Sequence, residues 1–212
     1  KALLANEIGG VKPDVQDTSL INWQQPRHPL LEKKLKAQGK QVVPLDLQLN
    51  ENERILVISG PNAGGKSVCL KTTGLLQYML QCGLMPPMRI DSQCGLFDSL
   101  FIDIGDEQSI LDDLSTYSSH LINMKALLEH ADEKTLFLID EFGTGTEPQL
   151  GGAIAEAILL ELNKKQAYGM VTTHYANLKL LADNHDGIIN GAMLFDTKFM
   201  QPMYIMMTGK PG

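Results

Sequence analysis

The sequence is short of paired cysteines, of positive charge and of long apolar runs, and each shortage excludes something. Cys69, Cys82 and Cys94 are odd in number and lack C-x-x-C spacing. This argues against a disulfide framework and a zinc ribbon, and it predicts reduced, mostly packed thiols in a cytoplasmic protein. Lysine and arginine number 18 against 25 aspartates and glutamates, a net charge of −7. A module that grips DNA phosphates by itself needs the opposite balance. No apolar run is long enough to span a bilayer and no signal peptide opens the chain, so no membrane partner is expected. Internal repeats and low-complexity tracts are missing too. The chain opens at Lys1 rather than Met and closes at Lys210-Pro211-Gly212 just after an apolar segment, which suggests a fragment of a longer protein.

What is present suffices for one sizeable α/β domain: 212 residues, 43% of them hydrophobic. Its most informative stretch is Gly60-Pro61-Asn62-Ala63-Gly64-Gly65-Lys66-Ser67, which fits G-x-x-x-x-G-K-[ST], the spacing of a phosphate-cradling P-loop. Before it, Arg54-Ile55-Leu56-Val57-Ile58-Ser59 reads as a buried strand. After it, residues 68–80 read as a helix. Strand, glycine turn and helix N-terminus together make an anion site, with backbone N–H groups and the helix dipole aimed at the phosphates. Gly60, Pro61, Asn62, Ala63, Gly64, Gly65, Lys66 and Ser67, with Val68 in the first helical turn, form the expected ATP-binding set. Lys66 reaches the β and γ phosphates and the Ser67 hydroxyl ligates Mg²⁺. A plain glycine turn would leave Ser67 at that offset unexplained.

A second half-site follows. Thr135-Leu136-Phe137-Leu138-Ile139-Asp140-Glu141 is an apolar strand ending in two carboxylates. In P-loop ATPases such an Asp holds Mg²⁺, a hard cation that wants oxygen ligands. The carboxylate directly after it can polarise the attacking water. Alone, an apolar strand running into an acidic turn would be the simpler reading; downstream of a P-loop, Asp140 becomes the metal ligand and Glu141 the catalytic carboxylate. His174, at the end of a strand over residues 166–172, stands where a side chain meets the phosphate end of the sheet. Gly143-Thr144-Gly145-Thr146 leads into a helix over residues 151–162, with Glu147 and Pro148 suited to its first turn. Ser115 and Thr116 open another helix, and capping alone accounts for them as well as phosphate binding does.

The remaining expectations concern organisation. Residues 1–8 read as a helix ended by Gly9-Gly10, residues 14–48 as irregular around Pro26, Pro29 and Pro44, and Glu32-Lys33-Lys34-Leu35-Lys36 as a solvated face. Residues 95–104 read as one strand, and residues 188–195 and 201–207 as late strands around a turn at Asp196-Thr197-Lys198. Met193, Met200, Met203, Met206 and Met207 read as core filler. Strands alternating with helices imply a mostly parallel sheet flanked by helices.

The order G-P-N-x-G-G-K-S, S-T-Y, D-E-F-G-T-G-T and T-T-H-Y resembles the ATPase domain of the MutS family, which is of the ABC type. The resemblance includes Arg27-His28-Pro29-Leu30-Leu31 ahead of the loop. Asp103-Ile104-Gly105-Asp106-Glu107-Gln108-Ser109, Ser115-Thr116-Tyr117-Ser118-Ser119-His120 and Gly209-Lys210-Pro211-Gly212 are most similar to the bacterial MutS type 2 branch. The resemblance implies a homodimer with composite ATP sites. In it the P-loop of one subunit faces Ser115 of the other, the loop at residues 143–146 meets the partner, and His174 senses the γ-phosphate. It also implies that residues 1–10 end a helix from a preceding lever or clamp domain, that residues 11–212 are the ATPase domain, and that DNA is held by domains outside this chain. The family stacks an aromatic on adenine shortly before the P-loop; Val42 or Val43 stands there instead, with Met206 a candidate for the other face. An ABC-type head from a transporter or chromosome-maintenance protein would carry an L-S-G-G-Q-like signature, which Leu114-Ser115-Thr116-Tyr117 does not supply. A nucleotide-gated scaffold with little turnover would have no use for Glu141.

Overall fold

The computed structural model describes residues 1–61, 64–105, 113–144, 147–196 and 198–210; the side chains of residues 113–119 lie outside the description. In chain order the elements are α1 (Ala2–Ile8), β1 (Asp14–Gln16), β2 (Ile21–Trp23), α2 (Pro29–Ala37), β3 (Leu47–Leu49), β4 (Glu53–Ser59), α3 (Lys66–Gln81), β5 (Gln93–Gly95), β6 (Ser99–Asp103), α4 (Asp113–His130), β7 (Thr135–Ile139), α5 (Pro148–Lys164), β8 (Tyr168–Thr172), α6 (Ala176–Asn184), β9 (Gly187–Asp196) and β10 (Gln201–Thr208).

Ile55, Leu56, Val57 and Ile58 are wholly buried, so β4 is covered on both faces, as a central parallel strand must be. The main sheet runs β10-β9-β4-β8-β7-β6. From β9 to β6 its pairings are parallel, and only β10 folds back antiparallel on β9. Alternation along each strand divides the interior into two cores. Leu56, Ile58, Leu136, Leu138 and Met170 point to the side shared with Leu70 and Leu76 of α3. Ile55, Val57, Phe137, Ile139 and Val171 point to the side shared with α4, α5 and α6 through Leu127, Leu159 and Leu178.

The sequence reading of residues 14–48 as irregular is corrected here. That segment supplies β1, β2, α2 and most of β3, and with β5 it forms a second sheet ordered β1-β5-β2-β3. Ile21, Trp23, Leu47 and Leu49 seat this small sheet on the α3 side of the core, where the apolar area removed from water outweighs the brevity of the strands. Residues 95–104 are likewise two strands rather than one, β5 in the small sheet and β6 at the edge of the main one. In α2, His28 caps the N-terminus by accepting from the Leu31 N–H at 3.3 Å, and Pro29 occupies the first turn. The charged run on α2 is solvated except at Glu32, which is buried and paired with Arg27 at 3.5 Å and Lys36 at 3.0 Å. Helix α1 ends at Gly9 in the left-handed region, φ 64°. Helix α5 starts at Pro148, and β9 and β10 lie where the late strands are expected. Among the methionines of this hairpin only Met193 is fully buried and Met206 partly so; Met200, Met203 and Met207 are exposed and are not core filler.

Gly169 shows how closely the strands are packed. The Phe137 ring of β7 lies over it, and a Cβ there would fall 2.4 Å from the ring. Phe137 is fully buried and has no room to yield. Gly169→Ala is expected to cost about 1–3 kcal/mol, read as a lower urea midpoint. An unchanged midpoint would contradict this packing.

Candidate functional site

The chemistry-bearing residues gather where parallel strands end. β4 stops at Ser59, the chain turns through residues 60–65, and α3 begins at Lys66. Two glycines make the turn possible: Gly60 has φ 126° and Gly65, the N-cap of α3, has φ 97°, values that disfavour any side chain. Gly64 is pressed on Met193 of β9, where a Cβ would lie 3.1 Å from the methionine Cβ. Pro61 is exposed, Asn62 and Ala63 lie outside the described residues, Ser67 is half-buried and Val68 exposed. Helix geometry leaves the N–H groups of the first α3 turn without intrahelical partners, directed out of the helix start.

Lys66 is only 2% exposed, and its ammonium donates to the Gly60 carbonyl at 2.7 Å. Burial pushes its pKa down, while Glu141 and then Asp140 push it back up. Both carboxylates therefore share the field of the lysine, although they stand 74 to 75 residues further along the chain. They leave the end of β7 as a tightly tethered segment. The Asp140 N–H donates to the Asp103 carbonyl at 3.0 Å. The Glu141 N–H donates to the Thr172 hydroxyl at 2.7 Å, and that hydroxyl donates to Asp140 Oδ1. Glu141 has φ 49°, uncommon for a residue with a side chain. Phe142 and Gly143 continue the segment: the Tyr175 hydroxyl donates to the Gly143 carbonyl at 3.0 Å, and a Cβ on Gly143 (φ 91°) would strike that ring at 2.8 Å. A cavity of about 40 Å³, large enough for water, lies against Asp140, Glu141 and His120.

Beyond β8 the Thr173 N–H donates to the Ile58 carbonyl at 3.1 Å, tying this loop to the end of β4. His174 follows it and is exposed on the same edge of the sheet. The residues read from the sequence thus converge from β4–α3, β7 and β8. Ser115 is described in its backbone only. It lies in α4, which packs on β6, and β8 and β7 stand between β6 and β4. Its side chain, and residues 145–146 of the following loop, lie outside the described residues.

Val42 and Val43 line a larger cavity of about 430 Å³ that opens onto Gly65 and Val68. Tyr204 and His28 also line it; the sequence marks His28 only within the stretch Arg27-His28-Pro29-Leu30-Leu31, and nothing in it marks Tyr204. Met206, the candidate for the other face of the base, is partly buried against the core and is not among the residues lining this cavity. β10 carries a register irregularity between Pro202 and Met206, with Tyr204 at φ 58° inside it. Burial keeps the His28 pKa below its ordinary value, consistent with a neutral ring whose Nδ1 caps α2.

The donor set suits a small hard cation. Among the described residues no group of three or more His, Cys, Asp or Glu could hold a metal by itself. Mg²⁺ does not need one: it takes one or two carboxylates, keeps its waters and completes its shell with phosphate oxygens. Asp140 and the Ser67 hydroxyl fit that requirement.

Residues 56–208 match MutS domain V. The chain belongs to the MutS family. Along its whole length it is 44% identical to proteins named Endonuclease MutS2 from Carboxydothermus hydrogenoformans, a Geobacillus species and Enterococcus faecalis. It spans 26% of each of those relatives. The similarity thus lies with the MutS2 branch. No helix among the described residues is long and apolar enough to cross a membrane.

One ion pair beside the site gives a pH dependence. His120 Nδ1 of α4 lies 2.8 Å from Asp103 Oδ2 of β6. The hydrogen bond to Asp103 raises the His120 pKa above its ordinary 6.5, against an opposing effect of burial. Because the folded value is the higher one, the pair adds stability that is complete below pH 6.5 and fades as pH rises through the raised value. The stability difference between the parent and His120→Ala, from urea denaturation, is therefore expected to shrink from pH 6 to pH 8. A difference that grows over that interval would contradict a charged pair.

Proposed function

We propose that this chain is a Mg²⁺-dependent ATPase domain of the P-loop, ABC-like type, acting as the dimerisation engine of a DNA-acting MutS-family protein. The observation that carries the reading is the buried Lys66 ammonium, held by the Gly60 carbonyl and in the field of Glu141 and Asp140. A cation enclosed by a glycine turn, at a helix start and beside two carboxylates, suits a polyphosphate with its metal. The 430 Å³ cavity adjoining the loop is of ligand size and would take the base between Val42, Val43 and Tyr204.

In this reading residues 60–68 hold the phosphates and Lys66 neutralises the β and γ oxygens. Ser67 and Asp140 hold Mg²⁺, which when bound screens the charge gathered on the phosphates. Glu141 accepts a proton as water attacks the γ-phosphorus, while the bond from phosphorus to the ADP oxygen breaks. His174, exposed at the end of β8, senses whether the γ-phosphate is present. The phosphate contact of Ser115 is assigned to a second copy on the resemblance to the MutS family, which makes the sites composite. DNA contact is assigned to segments outside residues 1–212, in keeping with the −7 charge of this chain. The endonuclease in the relatives' names belongs to proteins of which this chain spans 26%, and none of the residues above is assigned to it.

Glu141→Gln keeps the shape of the side chain and removes the base. In the full-length protein it is expected to bind ATP, to lose phosphate release by about 10²–10⁴-fold, and to accumulate an ATP-held dimer on size-exclusion chromatography. Parent-rate hydrolysis by this variant would remove Glu141 from its role.

A further inference from the structure

Thr172 is the last residue of β8 and wholly buried. Its hydroxyl is used in both directions: it donates its proton to Asp140 Oδ1 and accepts the Glu141 N–H at 2.7 Å. Its carbonyl accepts the Phe142 N–H at 2.8 Å. Three consecutive residues of the acidic segment therefore depend on one residue some thirty positions away in the chain. A threonine that merely ended a strand would satisfy its hydroxyl on nearby backbone. Here the acceptor is the carboxylate assigned to the metal, and the donor belongs to the residue assigned to the water.

We infer that Thr172 is a positioning residue for both carboxylates, an inference that rests on the ATPase reading. It commits Oδ1 of Asp140 to the protein, so that Oδ2 is the oxygen offered to a cation. It also fixes the backbone of Glu141 in the sparsely populated φ 49° conformation, the kind of strain that persists only where surroundings over-determine it. β-Branching restricts χ1, which holds the hydroxyl between its two partners. The following residue is bonded to the end of β4, so the same short segment registers the acidic pair against the strand that feeds the Gly60 turn.

The test compares parent, Thr172→Val and Thr172→Ser in the full-length protein, with ADP titrated calorimetrically in Mg²⁺ and in EDTA, and with kcat and KM for ATP. Thr172→Val is expected to keep the metal-free ADP affinity. It should lose most of the affinity gained on adding Mg²⁺, and its kcat should fall by about 10–100-fold with KM little changed. Thr172→Ser should restore both quantities most of the way. If thermal melting shows that Thr172→Val does not fold, Thr172→Cys, a weak donor of similar size, replaces it with the same expectations. The inference is overturned if the hydroxyl-free variant matches the parent in Mg²⁺ gain and kcat, if it loses metal-free affinity equally, or if serine is as impaired. A parent that neither hydrolyses ATP nor gains affinity from Mg²⁺ overturns the ATPase reading itself, which separates the two failures.

Discussion

An ammonium group buried to the extent of Lys66 is costly unless surrounding groups compensate it, and that requirement organises this end of the molecule. One compensation is the Gly60 carbonyl, reached because Gly60 and Gly65 adopt φ values that turn the chain back over the lysine. Another compensation comes from Glu141 and Asp140. It reaches the lysine because β8 alone separates β4 from β7 in the sheet. The two-sided burial of β4, β7 and β8 holds those strands in register. The core thus supports the site directly, since a slip of one strand would move a carboxylate relative to the cation.

Much of this arrangement is legible in the amino-acid sequence. The run at residues 54–59 is apolar and β-branched without interruption, which only a strand covered on both faces can use. The octet at residues 60–67 names its own geometry, because glycine, lysine and serine at those offsets have no simpler joint purpose. Asp140 and Glu141 stand out by ending an apolar strand.

What the sequence hides, it hides for physical reasons. The strands of the small sheet are three residues long, too short for a period to register, and they lie among prolines that read as breakers. Their stability comes from burying Trp23 and Leu49 on the core rather than from local preference. Residues 95–104 look continuous because nothing local marks the change from one sheet to the other. Tyr204 escapes notice because a register shift in β10 cannot be seen in an alternating pattern. Thr172 does so because its meaning lies in two hydrogen bonds spanning more than thirty residues. Met200, Met203 and Met207 mislead for the converse reason: composition says that methionine is apolar, not that an edge hairpin exposes it.

The account stands or falls on whether Lys66 and its glycine turn hold a nucleotide. The direct measurement is an ATP titration of Lys66→Ala against the parent, in Mg²⁺, with folding checked by thermal melting. Loss of a charge-assisted contact to phosphate is expected to weaken binding by about 2–3 kcal/mol, or roughly 30- to 150-fold. Equal affinity in a folded variant would contradict the assignment of the Gly60 turn as the phosphate site, and the roles given to Ser67, Asp140 and Glu141 would fall with it.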